Sequence, residues 1–391
     1  MDILFFSLGS AKSSLYGGLA KYCSEKGHTV TMISPSRDGF SDNMVDGVRC
    51  ITFKALPLSG GSSLRKGVAN LLLPFQSRRV FKRFFNHKNV DLVLSSTPPV
   101  SFYLPIEYIR KQNPQAKHYL ILRDIWPEAF NLFDFEKHHP LIYAFFRKQE
   151  KRLYAASDII GCMSEGNIDF VANSNPEVKD KLRLLYNWNS NFELKPSTVD
   201  VRKKYALEEK FVLIYGGNMG VPQGLDNVVC LAELIREKKD VVFLLIGKGT
   251  DKERIKKTVT EKHLSNVIIM DFLPKEDYDA ILQTCDVGLI SLNDRLKTPS
   301  IPSKTIGYWK LRMPILAIID HVTDYGQNII DKSQSGVWAY SGDTTAIIQS
   351  FEKLYSDATL RKQMGENGYN FFLKECTVEK AYNTIISQLY E

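Results

Sequence analysis

Four short stretches of this chain hold polar side chains where an apolar run gives way to a turn, and each suits the handling of an anion or a hydroxyl group. In YGGNMGVPQGLDNVV, residues 215–229, an apolar run ends in glycines before a helix-forming stretch. Glycines let backbone N–H groups approach a phosphate, and the dipole of a following helix favours that charge. Its glycines, Gly217 among them, are the candidate binding positions, with a purely structural turn as the other account of them. In LLIGKGTDKERIKK, Lys248 follows Gly247 and Arg254 comes one or two helical turns later, so both could face a diphosphate; Lys256 and Lys257 read as a solvated helix face. In NDRLKTPSIPSKTIGYWKLRMPILAIID, Lys304 stands between a proline-ordered turn and a helix. A cation at a helix start opposes the dipole, a cost that a bound anion offsets, so Lys304 is read as functional. In LILRDIWPEAF, Arg123, Asp124 and Glu128 follow an apolar strand directly and read as a site, with a capping aspartate before the Trp-Pro turn as the alternative.

Other chemistries find no support. The DYD at residues 277–279 sits at a helix start, where acids complement the dipole, and is read as structural; no metal is expected. The seven histidines form no paired-ligand spacing, and no Walker A loop, GxGxxG fingerprint or nucleophilic triad is present. The six cysteines are scattered without a CxxC pair, so inert thiols are expected rather than disulfides or zinc.

Positioning these residues requires strands that end where they stand. DILFFSL, SLYGGLAKYCSEKG and HTVTMIS make one βαβ unit, and alternation returns with DLVLSS, KHYLILRD and DIIGCMS. It restarts after residue 200 with FVLIYGG, DVVFLLIGKG, NVIIMDFL, DVGLISL and PILAIID. Continuous apolar strands suit parallel sheets covered on both faces, so the reading is two such sheets in tandem, an α/β protein with two Rossmann-like lobes facing across a cleft. The polar stretch YNWNSNFELKPSTVDVRKKY places the lobe boundary near residues 187–205. Ligands should collect outside the carboxyl ends of the strands, and TVEKAYNTIISQLY reads as an amphipathic helix returning to the first lobe. The expected domains are 1–195, binding acceptor and facing the membrane, 196–376, binding nucleotide-sugar, and 377–391, the returning helix. A length of 391 residues with 44% hydrophobic and 24% charged can bury both cores. With no apolar run of the roughly 20 residues a spanning helix needs, and no basic region or cleavage site at MDILFFSLGS, a cytoplasmic protein is expected.

Charge is uneven. Residues 1–200 hold 26 Lys and Arg against 19 Asp and Glu, and so carry the whole net charge of +7. Much of that surplus lies in residues 64–89, LRKGVANLLLPFQSRRVFKRFFNHKN, with seven basic residues and no acid. Arg78, Arg79, Lys82 and Arg83 interleaved with Phe81, Phe84 and Phe85 form a membrane-surface signature, since a basic residue near anionic lipid contributes about 1 kcal/mol. An ordinary core helix with a solvated basic face is the alternative; nucleic acid is not expected, because no RRM, KH or helix-turn-helix pattern accompanies it.

In order, SLYGGLAKYCSEKGHTVTMIS, RDIWPE, YNWNS, YGGNMGVPQGL, LLIGKG, DFLP, CDVGLISL and PSKTIGYWKLRMPILA resemble the family 4 retaining GT-B glycosyltransferases over nearly the whole chain. RDIWPE, GGNMG-x-x-QG and PSK most resemble the branch of capsule and O-antigen enzymes that includes N-acetylfucosamine transferases. The resemblance implies the GT-B fold, a UDP-sugar donor bound mainly by the second lobe, and no metal or other cofactor. Asn218 and Gln223 fall where the family places the Arg and Lys that clasp the diphosphate, so Lys304 and the backbone around Ser300, Pro302 and Ser303 should carry more of that load. Phe272 and Leu273 resemble the turn that holds the nucleobase, and Gly17 and Gly18 the first-lobe loop near the reaction centre. The family's EX7E acids would stand at Pro299 and Gly307, and neither is acidic.

The resemblance further implies transfer with retention, Lys304 stabilising the departing diphosphate and Asp124, supported by Arg123 and Glu128, holding a sugar hydroxyl or the acceptor. A polyprenyl-diphosphate-linked saccharide is the expected acceptor and an anionic membrane surface the expected partner, with the protein peripheral on the inner face of the cell membrane. The alternatives are a UDP-sugar epimerase of the same fold and a non-catalytic sugar-nucleotide-binding subunit.

Overall fold

The computed structural model of the chain describes residues 1–8, 15–56, 63–85, 89–191 and 201–390, with the backbone alone for 63–68 and 85. The chain divides into two compact units, Met1–Ser190 with Glu375–Glu391, and Asn191–Lys374.

In the first unit the apolar runs become strands β1 (Asp2–Phe6), β2 (Thr29–Ser36), β3 (Ser41–Val45), β4 (Val48–Lys54), β5 (Leu92–Ser96), β6 (Lys117–Leu122), β7 (Ile159–Cys162) and β8 (Leu182–Leu184). Helices α1 (Tyr16–Glu25), α2 (Ser63–Phe85), α3 (Tyr103–Gln112), α4 (Phe135–His138), α5 (Pro140–Ala156) and α6 (Glu165–Ser174) lie between them. The sheet order is β3-β4-β2-β1-β5-β6-β7-β8, with every pair parallel except β3–β4. That one hairpin turns through Asp46 and Gly47, both at positive φ, the backbone a two-residue loop needs. Alternate residues of β1 serve two cores. Leu4 and Phe6 pack with Leu73 and Phe81 of α2, Ile106 of α3 and Phe146 of α5. Ile3 and Phe5 pack on the other face with Leu19, Ala20 and Cys23 of α1.

The second unit holds α7 (Val201–Lys204), β9 (Phe211–Asn218), α8 (Asp226–Leu234), β10 (Val241–Lys248), α9 (Lys252–Glu261), β11 (Val267–Met270), α10 (Lys275–Leu282), β12 (Val287–Ser291), α11 (Lys304–Lys310), β13 (Ile315–Ile319), β14 (Gly336–Tyr340), α12 (Thr344–Ser356) and α13 (Ala358–Glu375). Its sheet is all parallel in the order β11-β10-β9-β12-β13-β14. The direction of winding therefore reverses between β9 and β12, as it does between β1 and β5 in the first unit, and such a reversal opens a crevice at the carboxyl ends. The last helix, α14 (Val378–Tyr390), starts behind Thr377, whose hydroxyl accepts from the Lys380 N–H at 3.1 Å. Its buried stripe of Val378, Ala381, Ile385 and Leu389 completes the α1 side of the first core.

Candidate functional site

Strands β9 and β10 run in register to their ends, which pairs Gly217 with Gly247 and Asn218 with Lys248. A Cβ on Gly247 would lie 1.8 Å from the Gly217 carbonyl oxygen, so only glycine permits this approach. Beyond β9 the chain turns through Gly224, at φ +53, whose Cβ would meet Asn293 Cα at 2.7 Å; Ser291 Oγ donates to the Gly224 carbonyl at 2.8 Å. The loops after β9 and β12 are thereby locked together over the crevice.

Tyr215, fully buried, ties the polar groups of this corner together. Its hydroxyl donates to the Asn218 carbonyl at 2.6 Å and lies 3.1 Å from Gln223 Oε1. Its ring carries the Lys304 ammonium, with Nζ 3.3 Å from the centroid. A Cβ on Gly217 would stand 3.8 Å from the same Nζ, so the glycine leaves the cation accessible along the strand end. Lys304 is placed there by α11, whose inner face is anchored by the buried Tyr308: its hydroxyl lies 3.1 Å from the Ile214 carbonyl and 3.2 Å from that of Leu289. Among the described residues no carboxylate pairs with Lys304, and desolvation pushes its pKa well below the ordinary lysine value. A half-buried ammonium with only a π-face for company has unused capacity for an anion.

The turn before α11 is ordered from β13. Buried Asp320 accepts from the Val322 and Thr323 N–H groups at 2.7 and 2.8 Å and from the Thr323 hydroxyl at 2.7 Å, and Thr323 Oγ1 in turn accepts from the Ser300 N–H at 3.1 Å. Pro302 accepts from the Thr305 hydroxyl at 2.7 Å, while Ser303 is exposed. Lys248, also exposed, lies 5.0 Å from the centroid of Phe272, a ring left 65% exposed just beyond β11; Leu273 beside it is half-buried.

Arg254 stands among acids. Two carboxylates enclose it, Asp226 at 2.8 and 2.6 Å and Asp251 at 2.6 Å to each of two nitrogens, and it joins the starts of α8 and α9. Its charge is matched by these acids in this structure. In α10, Asp277 lies in the first turn and Asp279 pairs with Lys275. Among the described residues no group of three or more His, Cys, Asp or Glu is arranged to hold a metal ion.

In the first unit the carboxyl ends of β1, β5 and β6 gather a second set. The Tyr16 hydroxyl, its pKa raised by burial, bonds to Ser96 and feels the charges of Arg123 and Asp124. The Arg123 N–H donates to Thr97 Oγ1 at 3.0 Å, and its Nη1 is buried without a partner. No N–H among the described residues donates to the exposed Asp124 carboxylate, so the capping alternative finds no bond. Gly17 is buried, and Gly18 allows α1 to approach Ser190, whose Oγ would lie 3.0 Å from a Cβ. Trp188 braces this corner by donating from Nε1 to the Leu15 carbonyl at 3.1 Å.

Glu128 departs from the set expected for it. Only 8% exposed, it pairs with Arg147 of α5 at 2.8 Å and accepts from the Tyr143 hydroxyl at 3.3 Å. Arg147 also pairs with Glu150, fully buried, whose pKa burial, and then the charge of Glu128, push up to about 8. Arg147 holds both acids in one cluster, in which Glu128 Oε2 and Glu150 Oε1 are buried without a hydrogen-bond partner.

Helix α2 also divides. Phe81 is fully buried against Tyr108 and belongs to the core, so it cannot enter lipid. Exposed Arg79, Lys82 and Arg83 continue a stripe that begins with exposed Leu72 and Phe75, while half-buried Arg78 stacks 5.1 Å from the Tyr108 ring and Phe84 stacks on Phe40 at 5.4 Å. The Phe85 side chain lies outside the described residues. Among those residues no helix is long and apolar enough to cross a membrane.

Residues 198–371 match the family described as Glycosyl transferases group 1. The chain is 24% identical over 269 residues to the probable glycosyltransferase WbjE of Pseudomonas aeruginosa, covering 68% of this chain and 66% of that protein. It is 28% identical over 123 residues to the putative colanic acid biosynthesis glycosyl transferase WcaI of Escherichia coli (strain K12), covering 31% of this chain and 29% of that one. The matched stretches thus span less than two thirds of these relatives' own lengths. Among solved structures, HepE of Anabaena in complex with UDP superposes over 100% of both chains at 14% identity, with a TM-score of 0.68. That likeness shows the fold, the GT-B type built from two α/β units.

Proposed function

We propose that the chain, whose residues 198–371 match the Glycosyl transferases group 1 family, is a retaining glycosyltransferase of family 4, moving a sugar from a UDP-sugar to a lipid-linked saccharide in the synthesis of a surface polysaccharide. The observation that carries this reading is the Lys304 ammonium, lodged over Tyr215 at the β9–β12 reversal with no carboxylate among the described residues to neutralise it. A diphosphate supplies the missing counter-charge. The UDP held by the Anabaena neighbour and the colanic acid assigned to the Escherichia coli relative favour the nucleotide and the product class. The branch resemblance favours an N-acetylated amino sugar such as N-acetylfucosamine, and capsule or O-antigen as the product.

In the proposed reaction the bond from sugar C1 to the β-phosphate oxygen breaks and the acceptor oxygen bonds C1 on the same face, its proton passing to the departing phosphate. Lys304 stabilises the charge that develops there, a large term when the cation is held in place beforehand. Gly217, Asn218, Gln223 and the backbone from Ser300 to Ser303 cradle the diphosphate, with Lys248, Phe272 and Leu273 at the nucleoside. Arg123, through its unpartnered Nη1, and Asp124 hold the acceptor or a sugar hydroxyl. The acceptor class, polyprenyl-diphosphate-linked, follows from the basic stripe of Arg79, Lys82 and Arg83, which suits an enzyme working peripherally on the inner face of the cell membrane.

Purified protein incubated with UDP-, GDP- and dTDP-sugars in EDTA, with and without lipid-linked acceptor, tests this by nucleotide release. Acceptor-dependent UDP release is expected. Isomerised donor without acceptor would instead identify an epimerase, and binding without turnover on any acceptor a non-catalytic subunit, the outcome that the missing acids at Pro299 and Gly307 would favour.

A further inference from the structure

Asn187 stands in the YNWNS stretch that follows β8. The Leu185 N–H donates to the Cys162 carbonyl at 2.7 Å, which carries the β7–β8 pairing one step past the strand. Further on, Trp188 donates to Leu15 just before α1, and its ring lies 6.4 Å from that of Tyr16, whose hydroxyl bonds to Ser96 at the end of β5. Neighbouring strands lie about 4.8 Å apart and each residue of extended chain spans about 3.5 Å, so the run from Leu185 to Trp188 bridges the interval from β7 to β5. In that interval β6 ends, and Arg123 comes directly after its last residue. Tyr119 and Ile121 of β6, like Leu185, pack on the α1 face of the sheet. The two-residue period of extended chain carries Arg123 and Asn187 to the same face.

The residues after Asn187 are fixed. Trp188 is held by Leu15, the Asn189 N–H donates to the Cys376 carbonyl at 2.9 Å, and Asn189 Oδ1 accepts from the Ser190 N–H at 2.8 Å. Asn187 is only 6% exposed, yet among the described residues it alone has both polar side-chain atoms, Nδ2 and Oδ1, buried without a hydrogen-bond partner. A buried amide left unpaired destabilises the fold, so a ligand is the natural account of it. Its chemistry selects the ligand class. An amide sets donors beside an acceptor, whereas a phosphate only accepts and would leave Oδ1 unpaired. Two neighbouring hydroxyls of a sugar ring answer both atoms, one accepting from Nδ2 and the other donating to Oδ1. Arg123 Nη1, likewise buried and unpartnered, adds a donor, and the exposed Asp124 carboxylate an acceptor.

We infer that Asn187 is a specificity-determining residue, whose amide holds a vicinal pair of hydroxyls on the acceptor saccharide that Arg123 and Asp124 receive. The inference rests on the transferase reading and deepens it, since it names the group on the acceptor that the first unit reads. A site built to hydrogen-bond a hydroxyl rejects the analogue that lacks it, because its own polar atoms are then left unpaired.

The test is Asn187→Leu, which keeps the size of the side chain and removes the amide. No hydrogen bond is lost within the fold, so the thermal midpoint should stay or rise. With lipid-linked acceptor, kcat/KM for acceptor should fall about 10² fold while KM for the UDP-sugar stays as it was. Saturation-transfer NMR with methyl glycosides of glucose, galactose and their N-acetylamino forms, and with their monodeoxy analogues, reads the hydroxyls directly. Wild-type chain should bind a parent glycoside at least tenfold better than the analogue lacking one of the paired hydroxyls, and Asn187→Leu should bind the two alike. A lowered midpoint in the variant marks the amide as structural and overturns the inference. Wild-type kinetics for acceptor in the variant also overturns it and leaves the transferase standing. Discrimination between glycosides that the variant loses, in a chain that releases no UDP with any acceptor, would keep the subsite and remove the transferase.

Discussion

The β10–α9 corner and the corner where the end of β9 meets α11 share two parts in the second unit: a strand with a glycine next to its last residue and a cation near the start of a helix. They differ in their acids. Asp226 and Asp251 enclose Arg254, whereas Lys304 has the Tyr215 ring and open space along Gly217. The first unit repeats the contrast, with Arg147 enclosed by Glu128 and Glu150 and Arg123 left with an unpartnered Nη1. A cation's neighbours, rather than its position in a motif, decide whether it holds the fold or is available to a ligand.

The largest effect should come from exchanging the two cations of the second unit. Lys304→Met should lower turnover by about 10²–10³ fold, the scale of losing one preorganised charge at a transition state. Arg254→Met should leave turnover within a few fold and cost about 1 kcal/mol of stability, because its pairs are half exposed and screened. Initial rates of UDP release and urea unfolding of both variants check this, and the reverse order would sink the comparison.

In the first unit, Glu150→Gln should change how stability depends on pH. The Glu150 carboxyl titrates at about 8 in the folded chain against an ordinary value of 4.5. Between those values the native state keeps a proton that the unfolded state releases, so wild-type stability should fall as pH rises through that window and be flat below it. The variant keeps Glu128 paired to Arg147 without the second acid. Its thermal midpoint should therefore decline less across the window, and parallel declines would show that the cluster is not sharing a proton.

The tyrosine beneath Lys304 offers a smaller handle. Tyr215→Leu removes the π-face and should weaken UDP binding by about 1–2 kcal/mol, while Tyr215→Phe keeps the ring and should lose less. A desolvated lysine that gains a diphosphate regains its charge, so binding takes up protons at pH values above the lowered Lys304 pKa. UDP affinity should hold until pH reaches the lowered Lys304 pKa and fall beyond it, and calorimetry in buffers of differing ionisation enthalpy should detect the uptake. Lys304→Met should abolish the dependence.

What the sequence revealed follows from where each signal lives. Strands such as ILAII and VGLIS are buried on both faces of parallel sheets, and that burial writes itself as unbroken apolar runs. The β3–β4 hairpin is written in Val45-Asp46-Gly47-Val48, a two-residue turn signal, although β3 is mostly exposed and carries no apolar run. The fate of Arg254 was not legible, since Asp226 lies 28 residues away and reaches it only after α8 and α9 pack. Glu128 needed Arg147 from a different helix for the same reason. Tyr215 lies in an apolar run that does not mark it out, and its service to Asn218, Gln223 and Lys304 appears only where the strand ends meet α11. Asp320 was hidden likewise, as its bond to Thr323 acts on Ser300 from a neighbouring strand.

Gly307 gives the finest test of whether the Lys304 corner is open by design. It lies inside α11, one turn beyond Lys304, and nothing stands within 4 Å of where its Cβ would be. Glycine in a helix interior costs about 0.5–1 kcal/mol relative to alanine, so Gly307→Ala should stabilise the chain by that amount in urea unfolding. If the space there is merely solvent, kcat and KM stay as they were and only stability moves. If the donor fills it, the added methyl raises KM while the stability gain remains, and that split would place the sugar-nucleotide against α11 beside Lys304.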